Sequence, residues 1–499
     1  MTDDERVLGN EEPAADADES AGPSLGTTAA RGFLWANVGI VVRYGSGLVL
    51  AAVLARTLNP AAYAVMVTLM IVTFYFDNAL DLGMGAALVY EQETGISRRV
   101  QVAFTANVAL AAILAAAAFV AAPLLTSYFK LDGATPIFRC LAIVVLLSGL
   151  TTVPWALFTR EMDFRTRSGV EVCRDATRLV VTIGLVVAGV KSWAVILGLI
   201  AAYAVWMVLT WILVAFRPTF AWDRVIVGEL WSYAWKLAGT RLLGILSLNG
   251  DYLVVGNRNP RQYPLYYQAF RLPEVVMGGQ LNAMSAVLFP MYSRIRSEGT
   301  AALRSAMHSA LRLVALFSIP VGVGLALVAR DSMLLMYGRT VAAGVTTMEL
   351  IALTGCVVGL GFATGDLLFA IGRPGVMVRL NAVMVPTMLA AMWFAAPHGI
   401  QWVAAVHLLV ALVFTGARQL IVNHIVEATV GSVVATLVPG LVVAACVAAA
   451  ALPVRLATDA SLVSLVEITI AGSVGGAIAL AVCRPARVEL RELVAKVRG

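Results

Sequence analysis

Residues 63–90 read YAVMVTLMIVTFYFDNALDLGMGAALVY. Fourteen uncharged residues run into two carboxylates, Asp77 and Asp81, and the chain then turns oily again. Polar and apolar residues do not alternate, so this is not a strand of a membrane barrel. It is long enough for a bilayer-spanning helix, which needs about 20 apolar residues. A charge near the bilayer centre costs about 2.5–3.5 kcal/mol on insertion scales, and such residues face a bundle interior or a wet cavity. The fold follows from whether the rest of the chain is built the same way.

It is. Of 499 residues, 60% are hydrophobic and 13% charged, against roughly a quarter charged in a soluble protein. Mean hydropathy is +0.85. About fourteen apolar runs of spanning length follow one another, from Phe33–Ala55 and Ala62–Tyr90 to Val433–Leu452 and Leu462–Cys483. The faintest are those holding Arg174 and Asp251. The expected fold is an all-α polytopic membrane protein of about 14 transmembrane helices.

An even number of spans leaves both ends on one side. The basic clusters SRR (97–99), TREMDFRTR (159–167), YSRIRSEGTAALR (292–304) and the tail from Cys483 all fall in the even-numbered connections or beyond the last span. The positive-inside rule makes that side cytoplasmic, with both termini there. The outward connections, such as GVKS and PHG, are too short to fold as a domain.

The net charge of +6 is therefore explained by topology, and no basic, aromatic-rich stretch suits nucleic acid. Five cysteines and four histidines are scattered, with no CxxC pair, which argues against a zinc site or a disulfide frame. The first 31 residues are acidic and poor in large apolar groups; they lack the basic start and apolar core of a secretory signal and read as a disordered tail.

The chain also repeats itself. Trp35 and Trp235 open the first and seventh spans, and Asn59-Pro60-x-x-Tyr63 recurs as Asn259-Pro260-x-x-Tyr263, each pair 200 residues apart. Two six-helix lobes related by a pseudo-two-fold repeat follow, with two helices added. The domains are then a tail 1–31, an N-terminal lobe 32–216, a linker 217–236, a C-terminal lobe 237–424, helices 13–14 at 425–483 and a basic tail 484–499. Such repeats facing each other across a central site are a common transporter plan.

Charges inside the spans point to that site. Arg43 lies about eleven residues into the first span, roughly 16 Å deep at 1.5 Å per residue. Asp77 in the returning span lies at about the same depth, with Asp81 one turn on along the same face. These three can meet in one polar pocket, either as a structural ion pair or facing a substrate or ion. Asp251, Arg271 and Glu274 form a second group near the outer ends of spans seven and eight, with Pro273 favouring a kink, and Arg241 sits deeper. Interfacial snorkelling or a plain salt bridge is the bland reading of the second group. Arg174, Asp175, Arg178 and Asp366 look shallower and suit lipid-headgroup or structural roles, and His407 suits a packed polar side chain. Clustered arginines in a low-dielectric space attract phosphate or pyrophosphate, and facing carboxylates hydrogen-bond sugar hydroxyls or exchange protons or sodium.

FLWANVGIVVRYGSGLVLAAVLARTLNPAAYAVMV with DNALDLGMGAALVYEQE resembles the amino-terminal signature of Wzx-type oligosaccharide flippases, of the multidrug/oligosaccharidyl-lipid/polysaccharide exporter superfamily. FTREMDFRTRSGVEV (158–172) resembles that family's loop between helices four and five; LNGDYLVVGNRNP, YYQAFRLPE and PMYSRIRSE resemble helices seven and eight and the loop after them. The resemblance runs from about Gly32 to Met348 and departs where the family has LGPxxYG and this chain has LNPAAYA. It implies a two-lobe transporter in the bacterial plasma membrane that flips polyprenyl-pyrophosphate-linked glycans from the inner to the outer leaflet. By matching motifs it points to Asp77, Asp81, Asp251 and Arg271; Arg43 is placed by depth alone. No cofactor is expected beyond coupling to H+, Na+ or the membrane potential. Expected partners are the lipid-linked glycan, membrane lipids, a polysaccharide polymerase and glycosyltransferases. An ion-coupled multidrug exporter of the same superfamily is one alternative, disfavoured by the deep arginines. A membrane glycan polymerase or glycosyltransferase is another, disfavoured by the short outward loops. The chain has no GxxxxGK[ST] nucleotide loop. A scaffold for envelope assembly is a third reading.

Overall fold

The computed structural model describes residues 25–81, 96–160, 163–214, 217, 219–338 and 342–482. The first half holds α1 (Leu25–Thr57), α2 (Pro60–Asp81), α3 (Ile96–Tyr128), the short α4 (Thr135–Arg139), α5 (Leu141–Arg160), α6 (Phe164–Val187) and α7 (Trp193–Leu213). The second holds α8 (Arg224–Arg258), α9 (Tyr263–Ile295), α10 (Thr300–Leu327), the short α11 (Ala329–Tyr337), α12 (Ala342–Ala370), α13 (Pro374–Ala395) and α14 (Ile400–Val426). Two more helices follow, α15 (Val430–Ala457) and α16 (Leu462–Val482).

The packing repeats with the order. In the first half α1 packs on α6, α6 on α7, α3 on α5, and α5 on both α7 and α2. In the second half α8 packs on α13, α13 on α14, α10 on α12, and α12 on both α14 and α9. Each half also places its short helix after its third long one. The Asn-Pro-x-x-Tyr motif does the same job twice: Asn59 Oδ1 accepts the Ala62 N–H at 2.8 Å and Asn259 Oδ1 accepts the Gln262 N–H at 3.3 Å. An asparagine cap satisfies an amide that the opening helical turn leaves without a partner. Tyr63 and Tyr263 are both buried beneath their turns. The helix pair α15–α16 packs on α10.

Ten helical stretches, among the described residues, are long and apolar enough to cross a membrane. The other long helices are α1, α6, α8 and α9. Each is 24 residues or longer, enough to span a bilayer. Lipid is as apolar as leucine, so helices here associate by close packing. Gly149 of α5 lies against Ala111 of α3, and Gly440 of α15 against the Ala315 carbonyl of α10, where a methyl group would overlap its neighbour.

Three boundaries differ from the sequence reading. Helix α1 begins at Leu25, inside the segment expected as a disordered tail to residue 31. Helix α8 begins at Arg224, not after a linker ending at 236, because Asp223 accepts the Val225 N–H (3.0 Å) and the Ile226 N–H (3.4 Å) and starts the helix early. The second half runs to Val426 before the turn into α15. The acidic segment 1–24, residues 82–95 and the basic segment 483–499 lie outside the described residues.

Candidate functional site: a charged cavity between the halves

A cavity of about 420 Å³ lies where the two halves meet, walled by α1, α2, α6 and α7 from the first and by α8 and α9 from the second. Four arginines, Arg43, Arg174, Arg178 and Arg271, face three carboxylates, Asp77, Asp175 and Glu274.

Arg43 and Asp77 both line the cavity, as their depth suggests, but each has its own partners. Arg43 pairs with Glu171 of α6 at 3.1 Å. A Cβ at Gly39 would lie 3.2 Å from Glu171 Oε2, so the glycine leaves the carboxylate room beside α1. Glu171 is shared with Arg167 at 3.6 Å, and 49% of the Arg43 side chain stays exposed. Asp77 accepts the Ser148 hydroxyl of α5 at 2.8 Å and the Tyr203 hydroxyl of α7. Arg43 and Asp77 thus share one cavity without pairing with each other.

The second predicted group divides. Arg271 and Glu274 line the cavity and pair at 2.8 Å, with the Tyr267 ring 6.0 Å from the guanidinium carbon. Arg271 also lies flat on α1 at Gly47, where any side chain would displace it. Asp251 is not on the wall. It is 1% exposed, accepts the Tyr266 hydroxyl at 2.7 Å and the Tyr252 N–H at 2.9 Å, and sits behind Tyr252, which does face the cavity. Depth alone placed Asp251 correctly along the axis and missed that its helix face looks into a packed tyrosine cluster. The side chains of Asp81 and Arg241 lie outside the described residues.

Helix α6 holds what the sequence reading set aside. Arg174, Asp175 and Arg178 line the cavity rather than the headgroup layer. Arg174 pairs with Asp175 at 3.0 Å and stacks over Trp206 at 5.5 Å. Arg178 faces the cavity with no hydrogen bond or ion pair among the described residues. The signal was present: Arg167, Glu171, Arg174 and Arg178 are spaced four, three and four residues apart, which puts all of them on one helix face. Asp366 is buried and accepts the Ser285 hydroxyl at 2.8 Å, and His407 packs beside Phe270 at 6.1 Å. Both are away from the cavity.

The wall's charges are thus largely paired off within the protein, with Arg178 left over. Paired arginines and carboxylates keep part of their hydrogen-bonding capacity, because a guanidinium has five donors. A cavity with this lining can receive an anionic, hydroxyl-rich group: guanidinium forks suit phosphate geometry, and carboxylate and tyrosine oxygens suit hydroxyl donors.

Comparison with known proteins places the chain. The profile of the family described as "Polysaccharide biosynthesis protein" matches residues 53–343. The chain is 22% identical over 311 residues to the teichuronic acid biosynthesis protein TuaB of Bacillus subtilis (strain 168), covering 60% of this chain and 62% of that protein. It is 22% identical over 331 residues to the succinoglycan biosynthesis transport protein ExoT of Rhizobium meliloti (strain 1021), covering 66% of each. It is 21% identical over 361 residues to the lipopolysaccharide biosynthesis protein WzxC of Escherichia coli (strain K12), covering 70% and 71%. The chain thus spans less than two thirds of the first of these relatives.

Among solved structures, the lipid II flippase MurJ in an inward closed conformation superposes with a TM-score of 0.73 at 12% identity, covering 91% of this chain and all of that one. An inward-facing multidrug resistance MATE family transporter of the MOP superfamily gives 0.61 at 14%, covering 79% and 98%. These two matches establish the fold. The repeat, the cavity between its halves and the matched profile agree: this multi-pass membrane protein belongs to the polysaccharide biosynthesis protein family and has the fold of the multidrug/oligosaccharidyl-lipid/polysaccharide exporter superfamily.

Proposed function

We propose that the protein flips a polyprenyl-pyrophosphate-linked oligosaccharide from the inner to the outer leaflet of the bacterial plasma membrane, for cell-surface polysaccharide biosynthesis. The observation that carries this is Arg178: a cationic side chain facing a cavity between two repeated halves, with no hydrogen bond or ion pair among the described residues. An unpaired charge at membrane depth is costly and is kept where it has a ligand or a water-filled space to face. The cargo's pyrophosphate supplies that ligand. Arg178, with the remaining donors of Arg174 and Arg271, holds the phosphates; Asp77 and Tyr203 meet sugar hydroxyls. The prenyl tail stays in lipid at the seam between the halves.

The names of relatives support the cargo class: one is a succinoglycan biosynthesis transport protein and a structural neighbour is a lipid II flippase. The protein is then a transporter rather than an enzyme. Its ends carrying the Asn59 and Asn259 turns face outward, with the termini in the cytoplasm, where glycosyltransferases load the carrier; a polymerase on the outer face takes the product. Coupling to H+, Na+ or the membrane potential acts through Asp77, the one carboxylate on the cavity wall with no arginine bonded to it. A multidrug exporter for cations is the weaker reading, because the four arginines on the wall repel a cationic cargo.

The test is translocation of a defined polyprenyl-pyrophosphate glycan in proteoliposomes, comparing the parent with R178A. Protein-dependent flipping that R178A reduces at least tenfold supports the reading. No flipping above protein-free vesicles with any such lipid, alongside efflux of a cationic dye, favours the exporter.

A further inference from the structure

We propose that Arg56 and Asn257 are paired latches, one from each half, which hold the cavity shut at the end of the bundle carrying the Asn59 and Asn259 turns. The proposal rests on the transport reading above and names the contacts that must part for that end to open.

Arg56 sits in the last turn of α1. It reaches out of its own half and donates Nε to the Met336 carbonyl at 3.3 Å and Nη2 to the Leu335 carbonyl of α11. A helix leaves its last four carbonyls without partners inside the helix. In α11, Gly338 closes the end in left-handed backbone (φ 72°), its N–H reaching the Leu334 carbonyl at 2.9 Å. The next two carbonyls go to Arg56, whose charge also meets the negative end of the helix dipole. Helix α11 is itself fixed to the second half. The Tyr337 hydroxyl donates to the Gln268 carbonyl of α9 at 3.1 Å. Asp331 Oδ1 accepts the Ser461 N–H at 3.2 Å, and Arg330 donates to the Thr458 carbonyl at 3.4 Å. Arg56 therefore clamps the first half to a rigid piece of the second.

The related contact runs the other way. Asn257, in the last turn of α8, donates its amide to the carbonyl of Tyr128, the last residue of α3, at 2.8 Å. The Tyr128 hydroxyl returns a bond to the Leu253 carbonyl at 3.3 Å. Gly256 leaves room for the Phe129 ring to lie on the α8 backbone. Counted from the matching asparagines Asn59 and Asn259, Gly256 occupies the place of Arg56. Each half thus uses the end of its first helix to grip carbonyls at or just after the end of the third long helix of the other half, once with a cation and once with an amide and an aromatic ring. Between the latches the seam is dry: Leu54, Tyr63, Phe129, Val255, Tyr263 and Tyr267 belong to one buried cluster drawn from both halves.

The experiment uses intact cells making the full-length protein with Ser46, on the cavity wall, changed to Cys. Cys140, Cys173, Cys446 and Cys483 become Ser, and buried Cys356 is kept as a fold control. A membrane-impermeant maleimide is added outside. The latch reading expects slow labelling of S46C in the parent and labelling about tenfold faster or more in R56A and in N257A, the scale of losing one hydrogen bond. R56K keeps part of the protection, and Cys356 stays unreactive throughout. An unchanged rate in the R56A/N257A double variant overturns the proposal, as does Cys356 reacting as fast as S46C, since the contacts would then hold the fold rather than a gate. Flipping measured in parallel separates the two readings. Faster S46C labelling without any flipping by the parent keeps the latch and removes the flippase. Flipping with unchanged labelling does the reverse.

Discussion

The Tyr203 hydroxyl of α7 donates to the Asp77 carboxylate of α2, across the width of the first half, while Ser148 of α5 donates to the other carboxylate oxygen. Three helices of one half are joined through a single acid that also faces the cavity. This explains why an acid sits in so apolar a run: its hydrogen bonds to charge-tolerant donors offset desolvation, and its remaining capacity faces a polar space. Asp77→Asn keeps an oxygen for one donor and removes the charge, whereas Asp77→Ala leaves both hydroxyls without an acceptor. D77N is expected to stay folded and lose coupling, seen as flipping that no longer responds to an imposed ion gradient. D77A is expected to lose about 1–3 kcal/mol of stability in addition, read as a lower melting temperature in detergent. Gradient-responsive flipping by D77N would remove the coupling role.

The Arg43–Glu171 pair joins α1 to α6 with half of Arg43 exposed. Exposed ion pairs contribute about 0–1 kcal/mol, so R43A is expected to leave the melting temperature nearly unchanged. A large loss of flipping in the same variant would then come from cargo contact. The double exchange R43E/E171R is expected to keep the melting temperature near the parent's and to lose flipping, because it moves the positive charge off the α1 wall. Restored flipping would make the pair purely structural.

Asp251 is predicted to be structural. D251N keeps an acceptor for the Tyr266 hydroxyl and is expected to flip at near-parental rate. D251A strands that buried hydroxyl and costs about 1–3 kcal/mol, measured as reduced melting temperature with flipping intact at low temperature. Abolished flipping by a folded D251N would return Asp251 to the functional site.

Much of this was legible in the sequence. Apolar run length and the absence of alternation gave an all-helical membrane protein, and the Asn59 and Asn259 motifs marked a repeat that the packing reproduces. Axial depth placed Arg43, Asp77, Arg271 and Glu274 at the cavity. What depth cannot supply is rotation about the helix axis. Asp251 is at cavity depth but turned into the Tyr252–Tyr266 cluster, and Arg178 was set aside although its face is shared with Arg174. The pairing of Arg43 with Glu171 was hidden for a related reason: it depends on how α6 lies against α1, a contact between segments more than a hundred residues apart. The early start of α8 at Asp223 was readable as a cap, but hydropathy outweighed it.

Close packing at Gly149 makes a stability prediction independent of transport. G149V drives a branched side chain into Ala111 and the Asn107 carbonyl. Overpacking of this kind costs about 1–3 kcal/mol, so the variant is expected to melt earlier and express less, with a second change of Ala111 to Gly recovering part of the loss.

The most direct test of the central claim, that an unpaired arginine in the cavity receives the cargo's pyrophosphate, is single-turnover flipping of a defined polyprenyl-pyrophosphate glycan by purified parent, R178K and R178A in proteoliposomes. The account predicts that R178A flips at least tenfold more slowly and R178K lies between, because a lysine keeps the charge and loses the bidentate fork. Equal flipping by all three, with equal protein in the vesicles, would contradict it.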